Sequence, residues 1–406
     1  MKIVLVSYFA FPSTSVGAIR PEYLGQFLAE NGHQILLVTA FGQDSRKVSV
    51  DNIRRLVVVE PSVVNWKNKF GLFLKRQPFL SVIRLLQSIF FWIDEYNSWS
   101  KHVEVELEKY LAVNNYDLLY VSGPPFSQFR TAQNLNKKIG IPWVAEYRDL
   151  WADNHLVCRN HFIRFFARRY ERRMLGSSTF SVTVSSPLAE RLKLVSSKVF
   201  VIKNGFNTSL PVDRALEQTN HKTIRLVYTG SIYYNVYDWE NVLETLLILK
   251  RRDVDVKLIL AGPSLERFVS TAKRLKVDNY IEYKGTISHQ AVQSLQSSAD
   301  ILLFFPWKNS EGILTSKLSE YFFANKFIAS VGCDTDVVRL IHTLGRGALF
   351  ESAKALADWI TDLSQQRDLG GASRIHLPED VDVTQFSAQY QFQLLYDLLQ
   401  NHFSNG

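Results

Sequence analysis

One stretch of the sequence, EGILTSKLSEYFFANK (311–326), places two ionisable side chains near the predicted start of a helix. With Thr315 or Ser316 as the N-cap, Lys317 lies in the first helical turn and Glu320 three residues further on. A cation is unfavourable in that turn, because the N-terminus of a helix already carries a partial positive charge. A phosphate bound by the lysine and the neighbouring backbone amides would make it favourable.

The residues around this pair favour a ligand site over an ordinary surface ion pair. An exposed pair of Lys317 and Glu320 would contribute only about 0.2–0.5 kcal/mol, and lysine before glutamate is the weaker order. The flanking sequence ILTSKLSEYFF is apolar enough to predict a substantially buried helix. A phosphate at Lys317 and ribose hydroxyls at Glu320 would explain both side chains, so the pair predicts a nucleotide.

Three further positions could bring backbone amides to such a ligand. Gly17 lies between the first predicted strand and a helix, and Gly230 and Ser231 follow the first strand of the second half. Glycine at such a position lets a ligand approach the backbone closely, and free amides at a helix start attract anions. An ordinary loop role explains Gly17 equally well when it is taken alone.

Two strand exits in the first half carry more candidates. The stretch EYRDLW (146–151) presents Arg148 and Asp149, and SGPPFSQ (122–128) is a loop made rigid by its two prolines. A local ion pair between Arg148 and Asp149, or a capping role for Asp149, is the alternative to a role in binding.

The sequence lacks the motifs of several other enzyme classes. It contains no G-x-G-x-x-G, G-x-x-x-x-G-K-[ST], G-x-S-x-G or H-E-x-x-H, which argues against dinucleotide oxidoreductases and P-loop NTPases. A metal-diphosphate site would need a D-x-D triplet at the end of a strand. Of the three triplets in the sequence, only Asp334–Asp336 follows a predicted strand, so we expect no metal. The two cysteines, Cys158 and Cys333, are too far apart in sequence to indicate a metal site, and they favour a reducing compartment.

Short apolar strands alternate with helical patterns along the chain, which is typical of parallel sheets covered on both faces. The sequence predicts two doubly wound, Rossmann-like α/β domains, 1–207 and 224–382, that face each other across a cleft. The polar stretch 208–223 predicts a linker, and 383–406 a helix that crosses back to the first domain. The predicted strands are 2–7, 34–40, 56–60, 117–123, 142–147, 180–185, 199–204, 225–231, 256–263, 280–285, 299–305 and 327–332.

The net charge of +8 is concentrated in two basic, aromatic-rich stretches, 66–86 and 159–173. Both could lie on an anionic membrane surface, and the alternative is a pair of amphipathic helices that pack their aromatic residues inward. No apolar run is long enough for a transmembrane helix or a signal peptide, and no nucleic-acid-binding module accompanies the charge. We therefore expect a cytoplasmic protein, peripheral at the inner face of the plasma membrane, with no nucleic acid partner.

Taken together, these stretches resemble the GT-B fold glycosyltransferases, and in particular the retaining family-four enzymes that use nucleotide sugars. The resemblance spans nearly the whole chain, and no single motif carries it. The matching residues are Gly17-Ala18 with Arg20, SGPPFS (122–127), PWVAEYRDLW (142–151), VTVSSPLAERL (182–192), VIKNGF (201–206), VYTGSIY (227–233), Gly285 with His289, Ala299-Asp300 and GILTSKLSEYF (312–322).

The resemblance implies that the second domain binds the nucleotide sugar and the first domain the acceptor. Glu320 then contacts the ribose and Lys317 the diphosphate, with Gly17 approaching it from the other domain. Two positions depart from the family pattern: Gly312 stands where a carboxylate is common, and the loop 230–239 has no basic residue. The implied catalytic residues are Lys317, Arg148 and Asp149, and the implied donor-binding residues are Gly17, Gly230, Ser231, Gly312, Leu314, Thr315, Ser316 and Glu320.

The implied activity is transfer of a sugar from a nucleotide sugar to a glycan, lipid-linked, in surface polysaccharide assembly. Retention would follow from attack of the acceptor on the same face of the sugar, without a metal or another cofactor. A nucleotide-sugar epimerase and a non-catalytic GT-B scaffold are the alternatives. The two departures from the family pattern prompt the scaffold hypothesis.

Overall fold

The computed structural model describes residues 1–13, 16–43, 51–59, 94–154, 161–206, 223–307, 316–368, 375, 377–378 and 381–403. The chain divides into two compact units. The N-terminal unit consists of Met1–Lys203 and Phe392–Gly406, and the C-terminal unit of Asn204–Gln391. Each unit contains a parallel sheet with helices, so the predicted pair of doubly wound α/β folds is confirmed. Of the predicted linker 208–223, only residue 223 lies within the described residues.

The N-terminal unit is built on a seven-stranded sheet in the order β3-β2-β1-β4-β5-β6-β7. All neighbouring strands are parallel, and every residue of β4 and β5 is buried. Parallel strands with helices on both faces need apolar residues at successive positions, as seen here. The strands are β1 Lys2–Val6, β2 Gln34–Thr39, β3 Ile53–Val57, β4 Leu118–Gly123, β5 Trp143–Tyr147, β6 Phe180–Thr183 and β7 Val199–Val201.

The described helices of the N-terminal unit follow its strands in the chain. The third of them ends at Gly140, whose φ of 75° is the left-handed conformation that glycine adopts most readily at a helix C-terminus. The helices are α1 Val16–Glu30, α2 Asn97–Leu111, α3 Ser127–Ile139, α4 His161–Leu175 and α5 Ser186–Leu192.

The C-terminal unit is built on a six-stranded parallel sheet in the order β10-β9-β8-β11-β12-β13. Its strands are β8 Ile224–Thr229, β9 Val256–Ala261, β10 Ile281–Tyr283, β11 Ile301–Phe304, β12 Phe327–Val331 and β13 Gly347–Phe350. Its helices are α6 Glu240–Arg251, α7 Glu266–Arg274, α8 His289–Ser297, α9 Ser316–Ala324, α10 Asp336–Thr343 and α11 Ala353–Asp368. Ser288 and Thr335 cap two of them, each accepting a hydrogen bond from a backbone N–H of the first turn.

The last helix, α12 (Ala388–Phe403), begins in the C-terminal unit and ends in the N-terminal one. Within the N-terminal unit its aromatic side chains pack against the core. The ring of Phe392 lies 5.8 Å from that of Phe27, and the ring of His402 lies 4.9 Å from that of Phe180.

Alternate residues of the C-terminal strands enter two separate cores. Leu226 and Tyr228 of β8 pack in one core with Leu258 of β9, whereas Val227 packs in the other with Ile259. This alternation is the two-residue period of a strand with both faces covered. Helix α9 belongs to the second core, through Leu318, Tyr321 and Phe322.

Both strand orders reverse direction at one point in the sheet. The chain runs outward from β1 to β2 and β3 and then returns to β4 on the other side of β1. The second sheet repeats this arrangement between β8 and β11. In open α/β sheets, ligands bind beyond the carboxyl ends of the strands at this switch point.

Two sequence predictions about strands were wrong. The third strand is Ile53–Val57 rather than 56–60, and the strand Gly347–Phe350 was not predicted. Both lie at an edge of their sheets and are only partly buried. The first contains Arg54 and Arg55 and the second is only four residues long, so neither has the long apolar run on which the prediction depended.

Candidate active site

The lysine singled out in the sequence lies in the first turn of a helix, as predicted. Helix α9 begins at Ser316, and the Lys317 Nζ donates a hydrogen bond of 2.8 Å to the hydroxyl of Tyr228. The same Nζ lies 4.0 Å from the centre of the Tyr228 ring. The Tyr228 hydroxyl in turn donates to the carbonyl oxygen of Ser231 over 2.6 Å.

This contact crosses the carboxyl edge of the sheet. Lys317 belongs to a helix that packs on one face, whereas the Tyr228 ring lies in the core of the other face. Gly230, which follows β8, leaves room for the crossing: a Cβ there would lie 3.0 Å from the Lys317 Cε. The lysine amine therefore lies at the switch point of the C-terminal sheet, where a ligand is expected.

Near the amine, the backbone at Gly230 and Gly262 leaves no room for side chains. Gly230 has a φ of 109°, and Gly262, after β9, has a φ of 144°. A Cβ on Gly262 would lie 2.5 Å from the carbonyl oxygen of Gly230. Glycine alone fits these positions without strain, so the loops after β8 and β9 approach each other closely here.

Burial changes the charge state of the lysine. Loss of water lowers the pKa of Lys317 to about 7, and the nearby Glu320 carboxyl offsets only part of this decrease. A neutral amine is therefore well populated near neutral pH. A bound anion would favour the charged form and raise the pKa again.

Glu320 lies one turn along α9, among polar side chains. Gln296 donates through its Nε2 to the Glu320 Oε2 over 3.1 Å and to the Thr229 Oγ1 over 2.9 Å. The Nδ1 of His289 lies 3.8 Å from the Glu320 Oε1. Burial raises the pKa of the Glu320 carboxyl, and His289, Gln296 and Lys317 oppose that rise.

The N-terminal unit brings together two of the other predicted site residues. Arg148 donates to the carbonyl oxygen of Gly17 over 2.5 Å, to that of Pro124 over 2.6 Å and to that of Gly123 over 3.3 Å. Burial lowers the pKa of its guanidinium group. Gly17 lies in the first turn of α1 rather than before the helix, so Arg148 ties that turn to the loop that follows β4, at the switch point of the first sheet. Asp149 is exposed beside it.

The remaining predicted residues divide between the described and the undescribed parts of the chain. Gly230 borders the Lys317 amine, the carbonyl oxygen of Ser231 accepts from the Tyr228 hydroxyl, and Ser316 begins α9. Gly312, Leu314 and Thr315 lie outside the described residues.

A buried ion pair in the N-terminal unit was not anticipated. Glu146 of β5 is fully buried, and its Oε1 accepts from the Nε of Arg20 over 2.9 Å. The hydroxyls of Tyr120 and Ser122 donate to the same carboxylate over 2.7 and 2.5 Å. The signal in the sequence was an acidic residue inside the apolar strand PWVAEY, since an unpaired carboxylate is not stable there.

The two aspartates of the D-x-D triplet that follows β12 form ion pairs with an arginine side chain of the same unit. Arg339 forms ion pairs with both Asp334 and Asp336. Among the residues that the structure describes, no three His, Cys, Asp or Glu side chains cluster in a way that could hold a metal ion.

Comparison with known families identifies the N-terminal part. Residues 22–210 match the model of Glycosyltransferase Family 4. The matched residues cover most of the N-terminal unit, including Glu146 and Arg148, so this part of the chain is similar to that family. No curated protein matches the chain in sequence.

Solved structures match the chain over its whole length, and they establish the GT-B glycosyltransferase fold. Sucrose-phosphate synthase from Thermosynechococcus elongatus has a TM-score of 0.67 and 16% identity, covering 100% of both chains. HepE from Anabaena, in complex with UDP, has a TM-score of 0.60 and 13% identity, covering 99% of this chain and 100% of HepE. WaaG, a glycosyltransferase involved in lipopolysaccharide biosynthesis, has a TM-score of 0.57 and 14% identity, covering 99% and 96%.

Proposed function

We propose that this protein transfers a sugar from a nucleotide-sugar donor to a glycan acceptor, with retention of the anomeric configuration. The donor binds in the C-terminal unit, with its diphosphate at Lys317 and its ribose at Glu320. The acceptor is a lipid-linked glycan of surface polysaccharide assembly. No metal or other cofactor takes part.

The position of Lys317 carries this proposal. A half-buried amine in the first turn of α9, beside Gly230 and at the switch point of the sheet, is costly unless an anion binds there. Glu320 lies within the same helix, close enough to accept hydrogen bonds from the hydroxyls of an attached ribose. UDP in HepE and the lipopolysaccharide role of WaaG support a nucleotide donor and a glycan acceptor.

The proposed reaction breaks the bond between the anomeric carbon and a diphosphate oxygen. An acceptor hydroxyl attacks the same face of the sugar, its oxygen bonds to the anomeric carbon, and its proton passes to the departing diphosphate. The charged form of Lys317 stabilises the negative charge that develops on that leaving group. Such preorganised electrostatic stabilisation is usually the largest single contribution to catalysis.

A thermal-shift screen with UDP-, GDP- and dTDP-sugars tests donor binding. A ligand at about 100 times its dissociation constant should add about 2.7 kcal/mol of stability. The variant Lys317→Ala should lose this shift, and unchanged affinity in that variant would favour a non-catalytic scaffold. Release of free nucleotide only when a glycan is added supports a transferase, whereas conversion of the donor sugar without acceptor would indicate an epimerase.

A second part of the proposal is that α4 binds an anionic membrane surface. Phe162, Phe165 and Phe166 are 78%, 63% and 54% exposed, so these three side chains of α4 do not pack inward. Arg169 and Arg173 are exposed on the same helix. The other basic stretch, 66–86, lies outside the described residues, and none of the helices within them is both long and apolar enough to cross a bilayer.

Vesicle sedimentation tests this second part. Wild-type protein should bind to mixed vesicles of phosphatidylglycerol and phosphatidylcholine, and much less to vesicles of phosphatidylcholine alone. The reason is that each arginine contributes about 1 kcal/mol near an anionic surface. Replacing Phe162 and Phe165 by serine should release the protein. The control Val113→Ser changes a residue that is 83% exposed elsewhere in the same unit. Equal binding of wild type and the double variant would exclude α4 as the membrane contact.

A further inference from the structure

We propose that Tyr228 is the positioning residue that holds the Lys317 amine in place for the donor diphosphate. The inference rests on the proposed function and adds a residue to the same site. The loop after β8, GSIYYNVYDW (230–239), contributes no basic residue to this site.

The hydroxyl of Tyr228 is oriented by its own hydrogen bond. A phenol has one hydrogen to donate, and in Tyr228 it is directed at the carbonyl oxygen of Ser231, 2.6 Å away. The lone pairs of the oxygen are therefore left for a donor, and the Lys317 Nζ occupies that position at 2.8 Å. The hydroxyl can accept from the lysine but has no second hydrogen with which to compete for a phosphate.

The ring of Tyr228 is itself fixed. It is 0% exposed, and its centre lies 5.0 Å from that of Phe305. A lysine side chain has about 2 kcal/mol of rotamer entropy, so a flexible amine gains most from a rigid partner. The ring face at 4.0 Å and the hydroxyl at 2.8 Å together define one position for the Nζ. An ammonium group has three hydrogens, so two remain for phosphate oxygens when Tyr228 accepts one.

The contact should also determine the pH range in which the donor binds. The titratable groups that face Lys317 are Tyr228 from β8 and Glu320 from its own helix. Four neutral tyrosines lie near Tyr228 itself: Tyr233, Tyr234, Tyr237 and Tyr321. The Tyr228 oxygen stabilises the charged amine, because it accepts a hydrogen bond from it. Removing that oxygen should move deprotonation of the lysine to lower pH.

The test is calorimetric titration of wild type and Tyr228→Phe at about pH 6, 7, 8 and 9. The ligand is whichever of UDP-glucose, GDP-mannose and dTDP-glucose gives the largest thermal shift, since their diphosphates do not titrate in this range. Wild-type affinity should fall by up to tenfold per pH unit above about pH 7. In Tyr228→Phe the midpoint should lie about one unit lower, with affinity about tenfold weaker at pH 7, as expected for a lost hydrogen bond to a charged group.

A matched control separates positioning from general packing. Tyr234 makes a similar pair of hydrogen bonds in the same unit, donating to the Ser264 carbonyl over 3.0 Å and accepting from the Phe268 amide over 3.2 Å. Tyr234→Phe should keep the wild-type midpoint. An unchanged midpoint in Tyr228→Phe overturns the proposal, and so does a loss of affinity that is equal at every pH.

A second measurement needs no variant of the tyrosine. In wild-type protein with ¹³C-methylated lysines, the resonance missing from Lys317→Met should be shifted upfield by the Tyr228 ring and should move when the nucleotide sugar is added. A Lys317 signal without a ring-current shift refutes the contact.

If the shift is present but no nucleotide sugar binds to wild type, the proposed function fails and Tyr228 is not a positioning residue for a donor. If Lys317→Met abolishes donor binding while Tyr228→Phe behaves as wild type, only the inference about Tyr228 fails.

Discussion

Replacing Lys317 with methionine should make the free protein more stable while removing donor binding. Methionine has a similar length and flexibility, carries no charge and can fill the space above Gly230. The pKa of Lys317 falls from 10.5 to about 7 on folding, and each pKa unit corresponds to about 1.4 kcal/mol. The charged lysine therefore destabilises the folded state by at most about 5 kcal/mol. Because the side chain is half-buried rather than enclosed, we expect a gain of about 1–3 kcal/mol.

The gain should depend on pH in a defined direction. The folded pKa lies below the unfolded one, so the cost is fully present below about pH 7 and disappears as the pH rises towards the unfolded value of 10.5. Urea unfolding at about pH 6.5 and pH 9, followed by tryptophan fluorescence, should show a larger gain for Lys317→Met at the lower pH.

The control is Lys273→Met, which removes an exposed lysine of α7 in the same unit. It should leave the free energy of unfolding nearly unchanged at both pH values. A Lys317→Met variant that is less stable than wild type at pH 6.5, or equally stabilised at both pH values, would refute the description of Lys317 as a destabilising buried cation. Retained binding of nucleotide sugars by the variant would refute its role at the diphosphate.

Two further predictions follow from the packing. Gly230→Ala should weaken donor binding at least about tenfold and reduce the free energy of unfolding by about 1–3 kcal/mol. The φ of 109° disfavours a side chain, and a Cβ would lie 3.0 Å from the Lys317 Cε. Calorimetry measures the affinity and urea unfolding the stability, and a wild-type affinity in the variant would contradict the prediction. Glu146→Gln should reduce the free energy of unfolding by about 3 kcal/mol, because Arg20 would keep a buried charge without its partner. The matched change Glu108→Gln, in an exposed pair with Lys138, should cost less than about 1 kcal/mol, and equal losses in the two variants would contradict the argument.

The sequence was sufficient for elements whose signal is local. Central strands such as β11 consist of successive apolar residues, and the first turn of α9 was predicted from its cap and periodicity. The edge strands β3 and β13 have a weaker apolar pattern because they are only partly buried. One of them was consequently misplaced and the other was missed.

The partners of the site residues could not be predicted in the same way. Tyr228 and Lys317 are 89 positions apart, and Gln296 and Thr229 are 67 apart. Periodicity indicates which face of an element is buried, but it does not indicate which distant side chain it meets. Glu146 shows the same limit: its burial followed from its strand, whereas its pairing with Arg20 depended on the strand order.

The contacts of Arg20 have a consequence for synthesis of the chain on the ribosome. Its guanidinium group donates to the carbonyl oxygens of Lys203 and Ile202 over 2.9 and 3.1 Å, and it lies 5.5 Å from the centre of the Phe392 ring. These groups are translated long after Arg20 itself, and Phe392 lies in the last helix. A chain that ends at residue 391 should therefore be more sensitive to proteolysis in its N-terminal unit than the full chain, and equal sensitivity would argue against this dependence.

The N-terminal unit thus cannot complete its core until the C-terminal unit has been translated, even though domains generally fold in the order in which they are made. The earlier of the two units is therefore finished after the later one has been made, and until then its buried arginine lacks the contact with the Phe392 ring.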